Sequence, residues 1–293
     1  MGTRVRASLR AILALSAAVA FPGCRRAADA APAPAAREAQ ARPPEALLAD
    51  GDRAWLERGD ATRLDVALRA YGAAAAQRPG DPAFELRLAR AEAFRALAAS
   101  APLAREAWEA SARAAERALR RVAPAWAEAI DRGEDPAAAA SRVDAPGAEA
   151  LYYVAQGTMR AAQATGYAAV LAVKDAALAM MSRAAELDER IDAAGPHRAL
   201  GAWRAMLPVA AGGGAAASRA HFDRARALAP DDALARVAEA ETWAVLVQDE
   251  ARFDALLGEA VALDPSRDPA RAPENAIARR RARELLDRRD RLF

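Results

Sequence analysis

The sequence has one cysteine, two histidines and one lysine among its 293 residues, and only 5% of its residues are aromatic. A single cysteine excludes an intramolecular disulfide bond. The shortage of aromatic and β-branched residues argues against an extensive β-sheet. Alanine, the strongest helix former, supplies about three residues in ten. The apolar fraction of 54% excludes a wholly disordered chain.

The near balance of charge argues against a nucleic-acid partner. The chain has 42 basic and 40 acidic residues, but Arg4, Arg6 and Arg10 lie in the first 23 residues, where there is no acid. Without that segment 39 basic residues face 40 acidic ones. Nucleic-acid-binding domains usually carry a basic stripe, so no nucleic-acid binding is expected.

Residues 1–23 are predicted to be a signal peptide. Three arginines precede an apolar stretch at 11–21, which is too short to span a bilayer as a mature helix. Gly23 and Cys24 follow, and this arrangement resembles a bacterial lipoprotein signal in which Cys24 becomes the acylated first residue. The resemblance implies a periplasmic protein attached by lipid, and the absence of aspartate after Cys24 favours the outer membrane. The alternative is a secreted protein with an incidental cysteine.

A tether follows the predicted lipid site. Residues 24–44 are rich in alanine and proline and have almost no large apolar side chains. About 20 residues at roughly 3 Å each reach around 60 Å when extended. The tether is therefore expected to hold the following domain away from the membrane surface.

Residues 45–293 are predicted to form one all-α domain of irregular tetratricopeptide-like helical repeats. Apolar residues recur there at spacings of three and four. The predicted helices lie near 45–58, 62–77, 82–99, 103–122, 148–164, 168–190, 198–207, 215–228, 232–247, 250–263 and 274–292. No later segment has the length of apolar residues that a transmembrane helix needs.

Four segments share a spacing typical of the end of a tetratricopeptide repeat. A bulky residue and a small residue stand eight and five positions before a proline or glutamate. The four pairs are Tyr71 and Ala74, Met181 and Ala184, Phe222 and Ala225, and Leu257 and Ala260. Stacked helix pairs of this kind form a concave binding surface. A generic alanine-rich helical bundle is the alternative.

The region from Leu187 to Phe293 resembles the T-component family that accompanies tripartite ATP-independent periplasmic (TRAP) transporters. The residues that carry the resemblance include the stretch from Gly195 to Gly201 and that from Asn275 to Ala282. Its motif positions are His197, Gly201, Pro208, Gly213, His221, Phe222, Asp249 and Asn275. No single motif is diagnostic, but their order and spacing together are specific.

The resemblance implies a non-catalytic lipoprotein that associates with the substrate-binding P component of the transporter. It also implies self-association, as a trimer, and a role in presenting an organic or apolar solute. A different function, as a structural adaptor for outer-membrane or cell-envelope assembly, stays open.

Enzymatic, cofactor and metal-binding roles are not expected from the residues. His197 and His221 are 24 positions apart, and neither has an acidic or cysteine ligand at helical spacing. We expect them to be hydrogen-bonded histidines at a helix start or contact. Gly213 lies in a triple-glycine turn that lacks the Lys-Ser/Thr of a phosphate-binding loop.

The segment 148–187 is the candidate ligand site. It has few charges and several aromatic and methionine side chains. Two interpretations remain open. These side chains either pack in the core, or they line an apolar cavity, as adaptable methionines and aromatics do in ligand pockets. The candidate lining residues are Tyr152, Tyr153, Tyr167, Met180 and Met181.

Overall fold

A computed structural model describes residues 42–293. The predicted signal peptide, Cys24 and the tether up to residue 41 lie outside the described residues. Within 42–293 there are thirteen α-helices and no β-strand, so the all-α prediction is confirmed. The helices are α1 (Pro44–Leu56), α2 (Ala61–Gln77), α3 (Pro82–Ala98), α4 (Ala101–Val122), α5 (Pro124–Asp131), α6 (Pro136–Ala139), α7 (Ala148–Thr165), α8 (Tyr167–Leu187), α9 (Ile191–Met206), α10 (Ala215–Leu228), α11 (Ala233–Glu239), α12 (Glu250–Ala262) and α13 (Ala272–Leu286).

The helices pack as pairs that are consecutive in the chain. The pairs are α1 with α2, α3 with α4, α7 with α8, α9 with α10, and α11 with α12. Each pair also contacts the next one, with α2 on α3, α4 on α7 and α8 on α9. The last helix, α13, packs on α11 and α12 and reaches α3 near the other end of the chain. The two ends of the stack of pairs therefore meet.

The helix starts have identifiable caps. The carboxylates of Asp60, Asp81 and Asp135 accept hydrogen bonds from backbone N–H groups in the first turns of α2, α3 and α6. Such caps satisfy donors that have no partner inside the helix. Pro82 and Pro136 occupy the first helical positions of α3 and α6, where no backbone N–H is needed.

The repeated bulky and small residues all lie in the core. Tyr71 is 2% exposed, and Met181, Phe222 and Leu257 are fully buried. The alanines three positions after each of them are fully buried as well. A small side chain at this position lets neighbouring helices approach closely, while the bulky one fills the space between them.

Two regions differ from the predicted helices. The structure adds α5 and α6 between residues 124 and 139, where a buried Trp126 packs against the main core. Ahead of the helix predicted at 198–207, Asp192, Ala193 and Ala194 form a left-handed turn, which makes a kink near the start of α9. The contacts that stabilise this turn come from Arg198 of α9, from α7 and from the C-terminal part of the chain, so local periodicity did not reveal it.

We predict opposite effects for two glycine-to-alanine substitutions. A Cβ on Gly157 of α7 would lie 2.5 Å from the carbonyl oxygen of Trp108 on α4, so Gly157→Ala should lower the free energy of unfolding by about 1–3 kcal/mol. A Cβ on Gly72 of α2 meets no atom within 4 Å, so Gly72→Ala should raise it by about 0.5–1 kcal/mol. Urea unfolding of both variants measures these changes. Equal effects of the two substitutions would contradict the close contact of α4 with α7.

Candidate functional site

A cavity of about 690 Å³ lies between α1, α3, α7, the start of α9 and the segment that leads into α13. Its size falls within the range of small-molecule sites. The rings of Trp55, Phe94 and Trp108 contribute to its wall, together with Leu97. The cavity forms because the ends of the chain meet and close one side of the stack of helix pairs.

Two helices each give the cavity a stripe of side chains. On α3, Arg90, Phe94 and Leu97 lie at spacings of four and three, so they share one face. On α7, Glu149 and Tyr153 line the adjoining wall, with Gln156 one turn further. Charged groups stand at the start of both stripes and less polar ones further along, and Arg58 adds a charge beside the Trp55 and Phe94 rings, so the wall combines charged groups with aromatic rings.

A buried ionic cluster supports the wall at the start of α9. The carboxylate of Asp192 accepts hydrogen bonds from the Tyr152 hydroxyl at 2.8 Å, from Arg198 at 2.7 Å and from Arg271 at 2.6 Å. Both arginines also contact the carboxylate of Asp232, at 3.1 and 3.0 Å. Buried charges of opposite sign thus alternate through the cluster, which joins α7, α9, α11 and the segment before α13.

The cluster supports a strained backbone. Asp192, Ala193 and Ala194 have φ values of 49°, 53° and 59°. Left-handed residues other than glycine cost roughly 1–2 kcal/mol each. Arg198 donates to the carbonyl oxygens of Asp192 and Ala193 at 3.2 and 3.3 Å, which fixes the turn. At Gly195 a Cβ would lie 2.5 Å from the Tyr152 hydroxyl oxygen, so only glycine fits there.

Electrostatics keeps the central carboxylate charged. Burial alone would raise the pKa of Asp192, but the guanidinium groups of Arg271 and Arg198 outweigh burial and lower the pKa to about 2. Burial, with the nearby carboxylate of Asp192, raises the pKa of Tyr152 well above its usual value. Asp192 therefore stays ionised and Tyr152 stays protonated across the neutral pH range.

A second buried ion pair joins the two ends of the chain. Arg58, in the turn after α1, donates to both carboxylate oxygens of Glu274 in the first turn of α13, at 3.0 and 2.7 Å. It also donates to the backbone oxygens of Trp55 and Ala270. Its guanidinium lies 4.4 Å from the centre of the Trp55 ring and 5.5 Å from that of Phe94. Both charged side chains are only 6% exposed.

Comparison with known families assigns the chain. A family model described as TRAP transporter T-component matches residues 57–293, about four fifths of the sequence. The chain belongs to the TRAP transporter T-component family. The resemblance at the C-terminal third is thereby confirmed, and the match extends it to most of the helical domain. No curated protein matches the chain.

In this T component, the five candidate cavity residues lie in different places. Tyr153 lines the cavity, and Tyr152 packs beside it with ring centres 4.9 Å apart. Met180 and Met181 are buried in the core, whereas Tyr167 at the start of α8 is 66% exposed. Only Tyr153 of the five is among the cavity-lining residues, and a ligand-binding role of the others stays a prediction.

The two histidines contact each other across the α9–α10 pair. The Nδ1 atoms of His197 and His221 are 3.0 Å apart, and His197 Nε2 lies 3.5 Å from a carboxylate oxygen of Glu189. Burial, then the neighbouring His197, lowers the pKa of His221 to about 4. Burial lowers the pKa of His197 as well. Both rings are therefore neutral at pH 7.

The remaining family-motif residues pack, cap or close turns around the same helices. The Gly201 carbonyl accepts from the hydroxyl of Ser218, and a Cβ on Gly201 would lie 3.0 Å from the ring of Phe222. Asp249 caps α12 by accepting from the backbone of Arg252. Asn275 is buried and bonds the backbone of Asp231 and Ala233. Pro208 and Gly213 form the turn after α9, where the Pro208 carbonyl accepts from the Gly213 N–H at 3.1 Å.

Sequence reasoning missed most of the residues that shape the cavity. Arg58, Arg90, Asp192, Arg271 and Glu274 come from four separate parts of the chain. One signal was available on α3, where Arg90 stands in line with apolar Phe94 and Leu97. The same signal was present on α7, where Glu149 and Gln156 share the face of Tyr153. A charged or amide side chain within an otherwise apolar helix stripe indicates that this face of the helix lines a partly polar cavity and does not lie in the apolar core.

Two further observations concern the part of the chain that the structure covers, residues 42–293. None of its helices is long and apolar enough to cross a bilayer. No cluster of three or more His, Cys, Asp or Glu side chains there is arranged to hold a metal ion.

We predict that breaking the Arg58–Glu274 pair is most costly when one charge is left behind. Glu274→Met should lower the free energy of unfolding by about 3–5 kcal/mol, because it leaves the buried guanidinium without its carboxylate. The double variant Arg58→Met/Glu274→Met should recover part of that loss. As a matched control, Arg63→Met removes an exposed pair with Glu57 and should change stability by no more than about 0.5 kcal/mol. Additive losses in a urea-unfolding cycle would show that the buried charges do not interact.

We predict acid sensitivity from the histidine pair. Since the pKa of His221 falls from 6.5 to about 4 on folding, the unfolded chain binds more protons between these values, and stability drops as pH falls through that window. Lowering the pH from 6.5 to 4 should reduce the apparent Tm by at least about 3 °C. The apparent Tm of the His221→Gln variant should fall less over the same pH range, because glutamine does not titrate. Identical Tm–pH slopes for both proteins, measured by calorimetry, would rule out this origin.

Proposed function

We propose that this protein is the T component of a TRAP-type solute uptake system, associates with the substrate-binding P component and performs no chemistry itself. The family match over residues 57–293 carries this proposal. The cavity supports it, because a concave wall that combines aromatic rings with charged groups is suited to bind a solute. The only histidines in the chain, His197 and His221, face each other between α9 and α10 and do not line the cavity.

The same proposal places the protein in the periplasm, held by an N-terminal lipid on Cys24, with the outer membrane as the favoured location. Support comes from the sequence of residues 1–24, which has the order of a lipoprotein signal. The tether at 24–44 would let the domain move about 60 Å from the bilayer when extended. That distance allows a soluble partner to reach the cavity from several directions.

Self-association, as a trimer, is part of the proposal. The exposed large apolar side chains support it, because they concentrate at the turns between paired helices. Val209 is 79% exposed and has exposed Met206 at the same turn, Tyr167 is 66% exposed at the turn before α8, and Leu246 is exposed before α12. A group of exposed apolar side chains on a soluble domain commonly marks a protein interface.

We predict that the tagged protein, purified from membranes of its own host, co-purifies the P component encoded with its transporter. Cys24→Ser should shift both proteins from the membrane fraction to the soluble periplasmic fraction, because the lipid is their shared attachment. Immunoblotting of the two fractions and of the purified complex measures the outcome.

The control is an unrelated periplasmic binding protein followed in the same fractions, which should not change with Cys24. If the tagged protein is recovered without any P component, the proposed association is contradicted. If it co-purifies outer-membrane assembly proteins instead of the P component, the structural adaptor function is favoured. An unchanged membrane fraction and unchanged mass for Cys24→Ser would refute the lipid anchor.

A further inference from the structure

Two polar side chains of the cavity wall form no hydrogen bond with another group among residues 42–293. Tyr153 is 4% exposed and Gln156 7% exposed, and both line the cavity. They stand three positions apart on α7 and so share a face. The polar atoms of both side chains remain accessible from the cavity, because neither is among the fully buried atoms that lack a partner. Both side chains can therefore form hydrogen bonds with a solute that occupies the cavity.

The charges of the wall are mostly paired with one another. Arg58 binds Glu274, and Arg271 binds Asp192. Arg90 is paired more loosely than the other lining arginines. It forms an ion pair with Glu149 at 3.6 Å, and no group within 42–293 accepts a hydrogen bond from the Arg90 guanidinium. The two side chains are 47% and 37% exposed, so both keep hydrogen-bonding atoms that a ligand can reach.

This pair distinguishes between ligand charges. A simple carboxylate would pair with Arg90 but would bring a second anion next to Glu149. A simple ammonium would pair with Glu149 but would bring a second cation next to Arg90. A zwitterion satisfies both groups through charge-assisted hydrogen bonds and leaves the net charge at the cavity wall unchanged. Of the other lining carboxylates, Asp192 and Glu274 are paired with arginines, and Asp188 is exposed and accepts from the backbone of Arg190.

We propose that the cavity binds a free amino acid with an aromatic side chain, whose carboxylate is bound by Arg90 and whose ammonium group is bound by Glu149. The proposal rests on the proposed function in one respect, that the cavity holds a solute. It deepens that function by naming the class of solute.

The rest of the cavity fits the side chain of such a ligand. From Arg90 to Leu97 the wall on α3 extends seven residues, about 10 Å along the helix. Phe94, Leu97 and Trp108 offer apolar and aromatic contacts over that length. Gln156 and Tyr153 present an amide and a hydroxyl to polar atoms of the ligand, such as the N–H of an indole ring. The volume of about 690 Å³ accommodates an amino acid of this size.

Three related compounds test the charge requirement. L-tryptophan has both charges, 3-indolepropionate has only the carboxylate and tryptamine has only the ammonium. Titration calorimetry on the purified full-length protein, after extensive dialysis, should show that L-tryptophan binds at least about tenfold more tightly than either analogue. Equal affinity for 3-indolepropionate and L-tryptophan, or no binding of any of the three, would overturn the proposal.

Substitutions assign each charge to its residue. Arg90→Gln should reduce the affinity for L-tryptophan to that for tryptamine, and Glu149→Gln should reduce it to that for 3-indolepropionate. Arg113→Gln is the matched control, because it opens a similar 3.7 Å pair with Glu109 that does not line the cavity, and it should leave all three affinities unchanged. An effect of Arg113→Gln as large as that of Arg90→Gln would refute the assignment.

A smaller substitution separates a loss of binding from a loss of the folded structure. Tyr153→Phe removes one hydroxyl and should weaken L-tryptophan binding about threefold or more while the Tm stays close to that of the parent protein. Unchanged affinity would exclude Tyr153 from the site. Co-purification with the P component is measured separately. If the protein binds the P component but not L-tryptophan, the amino-acid assignment is wrong and the T-component function still holds. If it binds L-tryptophan but not the P component, the proposed association is wrong and the amino-acid assignment still holds.

Discussion

The buried carboxylate of Asp192 is the point on which the cavity depends. It accepts from Tyr152, Arg198 and Arg271, which belong to α7, α9 and the segment before α13. Without these three donors, a buried charge and a left-handed turn of non-glycine residues would both be unfavourable. Because the donors come from distant parts of the chain, the same cluster that stabilises the turn also positions one wall of the cavity.

The residues that identify the family and the residues that shape the cavity have different tasks. His197, Gly201 and Phe222 hold α9 against α10, and Asn275 joins α13 to α11. These contacts set the spacing of the helix pairs without facing a ligand. The cavity side chains, such as Arg90, lie on other faces of the helices, so the contacts that space the helix pairs are separate from those that line the cavity.

Closure of the stack gives the site its boundary. A stack of helix pairs is open at its ends, and each repeat contacts only its neighbours. Here Arg58 and Glu274 bring the first turn between helices to the start of the last helix, and the rings of Trp55 and Phe94 cover the guanidinium. The ion pair thus converts a concave surface into a cavity, and the local environment of each charge depends on the other.

The sequence by itself determined the all-α class, the paired helices and the buried repeat positions such as Tyr71 and Phe222. Those properties follow from periodicity and from side-chain size within one or two helical turns, and the residues that carry the family resemblance are also local. Only the tertiary structure decided the cavity, since Arg58 and Glu274 are 216 positions apart and Asp192 lies in a turn that no local rule favours. Burial of charge is stable only when partners arrive with the right geometry, and which distant side chains meet is fixed by the packing of the whole chain.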